Sequence, residues 1–305
     1  MKKILVAPTS FQSRAEMERF LESCEKDFEK GFARTLNELN EHQDTRVITL
    51  SGPTCSGKTT AARKIVLELE RLGKQVHVIS LDDFYYDNTL LRLRSEKKGY
   101  AEVDYDSPDT IDLEALEKFE DRLFGDGEAE CPIFDFVSGK RVGYKKIPCD
   151  ESSVFIFEGI QALYPEVTTI LAAHEYRSVY ISPESAISLG DEIFEPNELR
   201  LLRRLVRDSI FRNTPPELTF SLWKGVRKNE DKNILPYAEL CEMRIDSSFS
   251  YELSVLRPYL FGLLGNIDPE SEYKNMANDI LRRIEAAPSI PSEYISSDSL
   301  YKEFV

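Results

Sequence analysis

The stretch of sequence that decides the fold is SGPTCSGKTT, residues 51 to 60. Gly52 and Gly57 stand five positions apart and are followed by Lys58 and by two hydroxyl residues. Glycines allow the backbone to curve closely around an anion, and the N–H groups at the start of a following helix attract that anion. The pattern therefore predicts a loop that binds phosphate groups.

The flanks of this loop supply the context that the pattern GxxxxGK[ST], known as the P-loop, requires. The residues before it, TRVITLSG, read as a short buried strand, and the helical pattern after it ends at Gly73. A second strand, QVHVIS, completes a βαβ unit, which implies parallel strands. Two further apolar runs, SSVFIFEG and YRSVYIS, read as central strands. The fold class is therefore α/β, a P-loop NTPase or kinase fold with a doubly wound, mostly parallel sheet.

The loop is predicted to bind ATP together with Mg²⁺. Lys58 can reach the β and γ phosphates, and the hydroxyl of Thr59 can serve as a magnesium ligand. The predicted nucleotide-binding residues are Gly52, Thr54, Cys55, Ser56, Gly57, Lys58, Thr59 and Thr60. We interpret Cys55 as filling a variable position of the loop, with a redox-sensitive thiol as the alternative.

Acidic residues stand at the ends of two predicted strands. Asp82 and Asp83 directly follow QVHVIS, and Glu158 ends the strand VFIFEG. Because ligands bind at the carboxyl ends of parallel strands, we predict that Asp82 accepts a hydroxyl proton and that Asp83 lies beside the acceptor. Glu158 is predicted to organise the magnesium with Thr59. The alternatives are a solvated acidic turn for the aspartates and a simple turn start for Glu158.

Residues 195 to 212, EPNELRLLRRLVRDSIFR, are predicted to form a helix with four arginines on one face. These residues, spaced at i, i+3, i+4 and i+7, are Arg200, Arg203, Arg204 and Arg207. Like charges at this spacing repel, and a bound anion would offset the repulsion. We therefore predict a lid over the triphosphate, with Arg200 and Arg203 catalytic and Arg207 on the substrate side. The alternative is a surface helix balanced by nearby carboxylates.

Composition limits the classes of partner. The net charge of −15, from 54 acidic and 39 basic residues, argues against general attraction to nucleic acids or to anionic membranes. The start of the chain, MKKILVAPTS, has too short an apolar run for a signal peptide or a membrane span, which favours a cytoplasmic protein. Five scattered cysteines without a CxxC pair favour neither disulfides nor zinc. Homo-oligomerisation is left open.

The chain divides by pattern into three segments. Residues 1–45 form a predicted helical extension, in which apolar residues recur at helical spacing and indicate one long amphipathic helix or two. Residues 46–265 form the predicted kinase domain, whose turn-rich part between residues 82 and 150 is expected to carry the substrate loops. Residues 266–305 form a predicted helix and a polar tail that we expect to be partly disordered.

Six stretches in order resemble the uridine kinase and phosphoribulokinase group of P-loop kinases. They lie between about residues 46 and 264 and read GPTCSGKT, ISLDDFYYD, DYDSPDTID, PIFDFVSGKR, VFIFEGIQALYPE and RLLRRLVRDSIFR. The resemblance implies that Asp82 is the general base for a 5′-hydroxyl and that Glu158 helps to hold magnesium. It also implies that Arg200 and Arg203 are lid arginines.

The resemblance further implies an acceptor site for a nucleoside. Asp106 matches the aspartate that binds the ribose hydroxyls, and Tyr105 and Phe136 match aromatic residues that flank the base. Tyr85 and Phe134 complete the predicted substrate-binding residues. The family pattern has tyrosine where Phe134 stands and histidine where Gly139 stands, and those polar groups read the edge of a pyrimidine. Both groups are absent from this chain, so it lacks two partners with which such a site discriminates its substrate.

The sequence thus predicts an ATP-dependent kinase that phosphorylates a primary hydroxyl of a small molecule, with a uridine- or cytidine-like nucleoside as the leading acceptor. One alternative is a kinase of another sugar or alcohol, similar to phosphoribulokinase or pantothenate kinase. For an acceptor that already carries a phosphate, the chain offers Lys140, Arg141, Lys145 and Lys146. A different class is a nucleotide-binding regulatory protein without transfer activity.

Overall fold

The computed structural model of the protein describes residues 3–97, 103, 105 and 107–305. Its strands are β1 (Ile4–Val6), β2 (Val47–Ser51), β3 (Gln75–Ser80), β4 (Glu128–Asp135), β5 (Lys140–Pro148), β6 (Ser153–Glu158), β7 (Tyr176–Ser182), β8 (Ala186–Leu189), β9 (Glu192–Phe194) and β10 (Met243–Asp246). Its α-helices are α1 (Arg14–Glu41), α2 (Lys58–Arg71), α3 (Asn88–Lys97), α4 (Leu113–Gly125), α5 (Pro165–Leu171), α6 (Pro196–Arg212), α7 (Pro216–Asn233), α8 (Leu235–Ala238), α9 (Glu252–Gly265) and α10 (Lys274–Ile284).

A parallel sheet of five strands, in the order β10-β7-β2-β6-β3, forms the centre of the molecule. Four of these strands are the predicted ones, and the predicted α/β fold class is confirmed. Their continuous apolar sequences suit strands that are covered on both faces. In β6, Val154 and Ile156 face one hydrophobic cluster, and Phe155 and Phe157 face another. The fifth strand, β10, was not predicted because apolar and charged residues alternate over only four positions.

Two smaller sheets flank the central one. The N-terminal strand β1 pairs in parallel with β8, which pairs antiparallel with β9. The turn-rich part of the chain contains an antiparallel hairpin of β4 and β5. Neither β1 nor this hairpin was predicted. The hairpin carries two predicted acceptor residues, Phe134 in β4 and Phe136 in the turn that follows it.

The N-terminal extension contains a single helix of 28 residues, α1, rather than two helices. Ser13 caps it by accepting a hydrogen bond from the N–H of Glu16. The buried side chains Leu21, Phe28 and Phe32 lie on one face, as the helical spacing predicted, whereas Phe20 and Cys24 are only partly buried. The helix therefore covers one side of the core with its apolar face.

The prediction of a partly disordered C-terminal tail was wrong. After α10 the chain forms two short 3-10 turns, Ser292–Tyr294 and Leu300–Glu303. Leu300, Tyr301 and Phe304 are fully buried in the hydrophobic cluster that also receives α1. These apolar residues lie among serines and acidic residues without any helical or strand period, so no sequence pattern indicated their burial.

The division into residues 1–45, 46–265 and 266–305 stays a prediction. Side chains from all three segments meet in one hydrophobic cluster on the α1 side of the sheet. Across residues 3–97, 103, 105 and 107–305, none of the helices combines the length and the apolar character needed to cross a membrane.

Candidate active site

The phosphate loop links the end of β2, at Ser51, to the start of α2, at Lys58. A Cβ atom on Gly52 would lie 2.2 Å from the carbonyl oxygen of Ile181, so only glycine fits there. Gly57 caps α2 with a φ of +98°, in the left-handed region that favours glycine. Each glycine of the motif therefore has a steric or conformational reason in this structure.

The lysine and the hydroxyl groups of the loop lie as a phosphate site requires. The ammonium of Lys58 donates hydrogen bonds to two carbonyl oxygens of the same loop, those of Gly52 (2.9 Å) and Pro53 (3.1 Å). Thr59 is exposed, and the hydroxyl of Ser56 is buried without a hydrogen-bond partner. A buried hydroxyl without a partner is costly, and a phosphate oxygen is a partner that would satisfy it. The loop therefore fits a phosphate ligand.

Register brings the predicted carboxylates to the same edge of the sheet. Glu158 pairs with Leu50 of β2 and with Ser80 of β3, so the ends of these three strands lie side by side. Asp82 follows in the 3-10 turn Leu81–Phe84. The structure thus places Asp82 and Glu158 around Lys58.

Burial raises the pKa of Asp82, and the charge of Asp83 adds to the increase, while Lys58 and a hydrogen bond with Tyr85 oppose it. Burial likewise raises the pKa of Glu158, with Lys58 opposing and the charges of Asp82 and Glu303 adding. Asp82 is only partly exposed, which does not fit the fully solvated turn considered for it. Two confined carboxylates beside one ammonium favour the arrival of a further cation.

The metal site would consist of few protein ligands. Within the described part of the chain, no group of three or more His, Cys, Asp or Glu side chains could hold a metal ion by itself. Mg²⁺ is usually bound through one or two protein oxygens, with water and substrate phosphates as the other ligands. The exposed hydroxyl of Thr59 and the carboxylate of Glu158 fit that requirement.

The predicted acceptor residues cluster beside Asp83. Its Oδ1 accepts a hydrogen bond from the N–H of Phe134 (3.0 Å), and its Oδ2 lies 3.7 Å from Nζ of Lys145. Phe134 makes edge-to-face contacts with Tyr85 (ring centroids 5.8 Å) and with Phe136 (5.3 Å). Phe136 exposes 64% of its surface, so an aromatic face is open to a ligand.

Two further residues complete this cluster. The hydroxyl of Tyr85 donates to the carbonyl oxygen of Tyr105 (3.1 Å), and Nε2 of Gln161 donates to the Tyr85 hydroxyl (2.8 Å). The predicted ribose-binding residue Asp106 lies outside the described residues. Sequence analysis missed Gln161 as a neighbour of the site, although it lies within the stretch VFIFEGIQALYPE, and it offered Lys145 only as a partner for a phosphorylated acceptor.

Asn88 occupies the space beside Gly139. A Cβ atom on Gly139 would lie 2.1 Å from Nδ2 of Asn88, and the N–H of Asn88 donates to the carbonyl oxygen of Gly139 (2.8 Å). A histidine at position 139, as in the family pattern, would therefore displace the Asn88 side chain. Sequence analysis missed Asn88 because its pairing with Gly139 spans about fifty residues.

The predicted lid arginines need a correction. Arg200 and Arg203 do not line an open face: Arg200 is 3% exposed and Arg203 is fully buried. Arg200 forms a bidentate ion pair with Glu230, and Arg203 forms one with Glu252. The helix α6 packs against α7 and α9, so the face that carries these two arginines lies inside the molecule. The catalytic role of these two arginines stays a prediction.

Both arginines also contact the backbone of the phosphate loop. Arg200 donates to the carbonyl oxygen of Thr54 (3.3 Å), and Arg203 donates to that of Cys55 (3.2 Å). Their carboxylate partners stand 30 and 49 positions away, so no local pattern could reveal them. In the structure the two arginines therefore bind the backbone of the phosphate loop and link it to α6.

The other two arginines of the helix are balanced locally. Oδ1 of Asp208 accepts a hydrogen bond from Nη2 of Arg207 (2.7 Å), and its Oδ2 accepts one from Nε of Arg204 (3.2 Å). This arrangement matches the alternative in which nearby carboxylates balance the helix. The substrate-binding role of Arg207 stays a prediction.

Cys55 lies inside the loop and is buried. Burial raises the pKa of its thiol, and the charges of nearby arginines only partly oppose that increase. A raised pKa lowers the thiolate fraction, and the thiolate is the reactive form. The structure therefore gives no support to the redox-sensing alternative.

These features define a class: an α/β protein of the P-loop kinase type, with a phosphate loop, strand-end carboxylates and an arginine helix behind the loop. Residues 47–248 match the Phosphoribulokinase / Uridine kinase family. The match covers more than half of the chain, and the protein belongs to this family.

Individual relatives share about a third of their residues or fewer with this chain over the aligned parts. Uridine-cytidine kinase C of Dictyostelium discoideum is 32% identical over 149 residues, which are 47% of this chain and 30% of that protein. Uridine kinase of Saccharomyces cerevisiae is 28% identical over 258 residues, 84% of this chain and 46% of the yeast protein. The chain therefore spans less than half the length of these two relatives. A solved phosphoribulokinase from Rhodobacter spheroides aligns with 80% of this chain and 99% of its own at 11% identity, with a TM-score of 0.45.

Proposed function

We propose that the protein is an ATP-dependent kinase that transfers a phosphoryl group to a primary hydroxyl of a uridine- or cytidine-like nucleoside. The observation that carries this proposal is the meeting of Lys58, Asp82 and Glu158 at one edge of the sheet, next to an aromatic cluster. Family membership and the names of the relatives point the same way.

Each residue of this set has a distinct task. Bound Mg²⁺·ATP would supply the transferable γ-phosphoryl group and the charge that stabilises its transfer. The loop N–H groups and Lys58 would bind phosphate oxygens, while Thr59 and Glu158 would hold the metal. Asp82 accepts the proton of the acceptor hydroxyl, and its raised pKa makes it a stronger base than an exposed aspartate. Positioning and charge suffice because the protein forms no covalent bond with the substrate.

The acceptor side favours a planar, uncharged ring. Phe136 offers an open aromatic face, and Phe134 and Tyr85 support it from behind. Three of the four basic residues that could bind a phosphorylated acceptor are engaged elsewhere: Arg141 with Asp112, Lys145 with Asp83 and Lys146 with Glu128. A nucleoside base can stack here, whereas a phosphate would have to compete with three carboxylates.

The experiment is an assay of ADP formation with Mg²⁺·ATP across nucleosides, sugar phosphates and other alcohols. We expect uridine or cytidine to stimulate turnover, and Asp82→Asn to reduce that turnover by about 10²- to 10⁴-fold. The matched control is Asp121→Asn, which changes an exposed aspartate on α4 and should leave the rate unaltered. Full turnover by Asp82→Asn would refute the assignment of the base. Stimulation by sugar phosphates alone would refute the nucleoside, and no stimulation by any acceptor would favour a regulatory protein.

A further inference from the structure

The last seven residues of the chain, 299–305, pack against the phosphate loop, and we call them the terminal segment. A Cβ atom on Gly57, the residue that caps α2, would lie only 2.5 Å from the side chain of Leu300. This contact places the terminal segment directly on the turn that begins α2. Nothing in the resemblance to known kinases assigns a role to this segment.

Aromatic contacts hold the terminal segment in this position. The guanidinium of Arg203 lies 5.4 Å from the ring centroid of Tyr301 and 4.8 Å from that of Phe304. Arg203 in turn donates to the carbonyl oxygen of Cys55 in the loop. Tyr301 and Phe304 are both fully buried, so the segment is anchored rather than loosely apposed.

Glu303 extends from this anchored segment to the first turn of α2. Its Oε2 accepts a hydrogen bond from the hydroxyl of Thr60 (3.2 Å) and a longer one from the N–H of Thr60 (3.4 Å). Backbone N–H groups at this position of a P-loop are those that cradle nucleotide phosphates. A carboxylate oxygen therefore lies where the motif places a phosphate oxygen.

We propose that Glu303 is an internal competitor of the nucleotide, and that bound phosphate gains the Thr60 donors only when the Glu303 carboxylate leaves them. The inference rests on the nucleotide-binding function proposed above. A carboxylate and a phosphate accept from the same groups and repel each other, so they exclude one another at this position. The affinity for nucleotide then depends on where the end of the chain lies, which makes the terminal segment an autoinhibitory contact.

The test compares the dissociation constants of Mg²⁺·ADP for the full chain and its variants by isothermal titration calorimetry. We expect Glu303→Gln to bind Mg²⁺·ADP about two- to tenfold more tightly, because one negative charge at a helix N-terminus changes the binding constant by about that factor. Glu303→Asp keeps the charge but shortens its reach, and its affinity should lie between the two. The matched control is Glu293→Gln, which removes the same charge from an exposed site in the preceding turn and should bind like the unaltered protein.

The outcomes separate this inference from the proposed function. Equal, measurable affinities for all variants would overturn the competition and leave nucleotide binding intact. Weaker binding by Glu303→Gln would also overturn it, because the carboxylate would then assist the nucleotide or its metal. Absence of binding in every variant would overturn both the competition and the proposed nucleotide site. Circular dichroism of each variant verifies that the fold is retained.

Discussion

At the scale of single residues, the site concentrates carboxylates where they cost stability. Asp82 and Glu158 are partly buried at the edge of the sheet, and this burial raises the pKa of each. Lys58 lowers both pKa values, yet it is a single ammonium and is also hydrogen-bonded to loop carbonyls. Such a local excess of negative charge suits a site that receives a divalent cation with its ligand, and it leaves the ligand-free protein less stable than it could be.

The first residue-scale prediction concerns Asp82 and pH. Its pKa in the folded protein is raised above the ordinary 3.8, so the folded state binds the proton more tightly than the unfolded chain. This contribution to stability is complete below the ordinary pKa and is lost as pH rises through the raised value, which leaves an ionised group that disfavours folding at neutral pH. Asp82→Asn removes that group. We therefore expect it to raise the thermal unfolding midpoint at pH 7 by about 1 to 4 °C.

Differential scanning calorimetry without nucleotide or Mg²⁺ measures this effect. The gain should shrink as the pH is lowered through the raised pKa of Asp82 and disappear below the ordinary value of 3.8, where the carboxyl group is protonated in both states. Asp121→Asn, at an exposed position, is the control and should not change the midpoint at either pH. A lower midpoint for Asp82→Asn at pH 7 would show that the Asp82 carboxylate stabilises the fold instead.

At the scale of elements, what the sequence predicts depends on whether the pattern is local. β2, β3, β6, β7 and α2 were predicted because each is a run of residues with one period or one apolar character. β1 and β10 have three and four residues, too few to show a period. For the same reason Lys58 was found in the phosphate-loop motif, and Asp82 and Glu158 were found at strand ends. Asn88 became visible only in the structure, since its pairing with Gly139 depends on how distant segments meet.

The arginine helix α6 shows this limit most clearly. Its helical spacing was read correctly, but the face that carries Arg200 and Arg203 is buried because Glu230 of α7 and Glu252 of α9 lie opposite. Buried ion pairs contribute little net stability over apolar pairs, but removing one partner leaves an uncompensated charge. Each pair therefore specifies how α6 meets its neighbours and the phosphate loop.

This reasoning predicts that Glu252→Gln lowers the free energy of unfolding by about 3 kcal/mol or more. Arg203 would keep its charge in a fully buried position and lose its only carboxylate partner among the described residues. Urea denaturation measures the change. Glu18→Gln is the matched control, because Glu18 pairs with Arg14 on an exposed helix surface where the same substitution should cost less than about 1 kcal/mol. Similar costs for both variants would contradict the buried-charge account.

At the scale of the whole molecule, the two ends of the chain meet over the kinase core. Phe28 of α1 packs on Phe249 (ring centroids 5.1 Å), and Phe249 packs on Tyr301 of the terminal segment (5.8 Å). The hydroxyl of Tyr251 donates to Oε1 of Glu25 (2.6 Å) and ties the same region to α1. The N-terminal helix and the tail therefore share their packing with the loop that precedes α9, and their stabilities should be coupled.

The coupling predicts that Phe28→Ala destabilises the molecule as one unit. Loss of a buried phenylalanine costs about 3 to 5 kcal/mol, and the cost should appear wherever unfolding is observed. The single tryptophan, Trp223, lies on α7 near Arg200, outside the aromatic contacts around Phe28. Its fluorescence and far-ultraviolet circular dichroism should shift to the same lower urea midpoint in the variant. Leu67→Ala, at an exposed position of α2, should leave both midpoints within experimental error. A tryptophan midpoint that stays unchanged while the dichroism midpoint falls would mean that α1 unfolds independently of the kinase core.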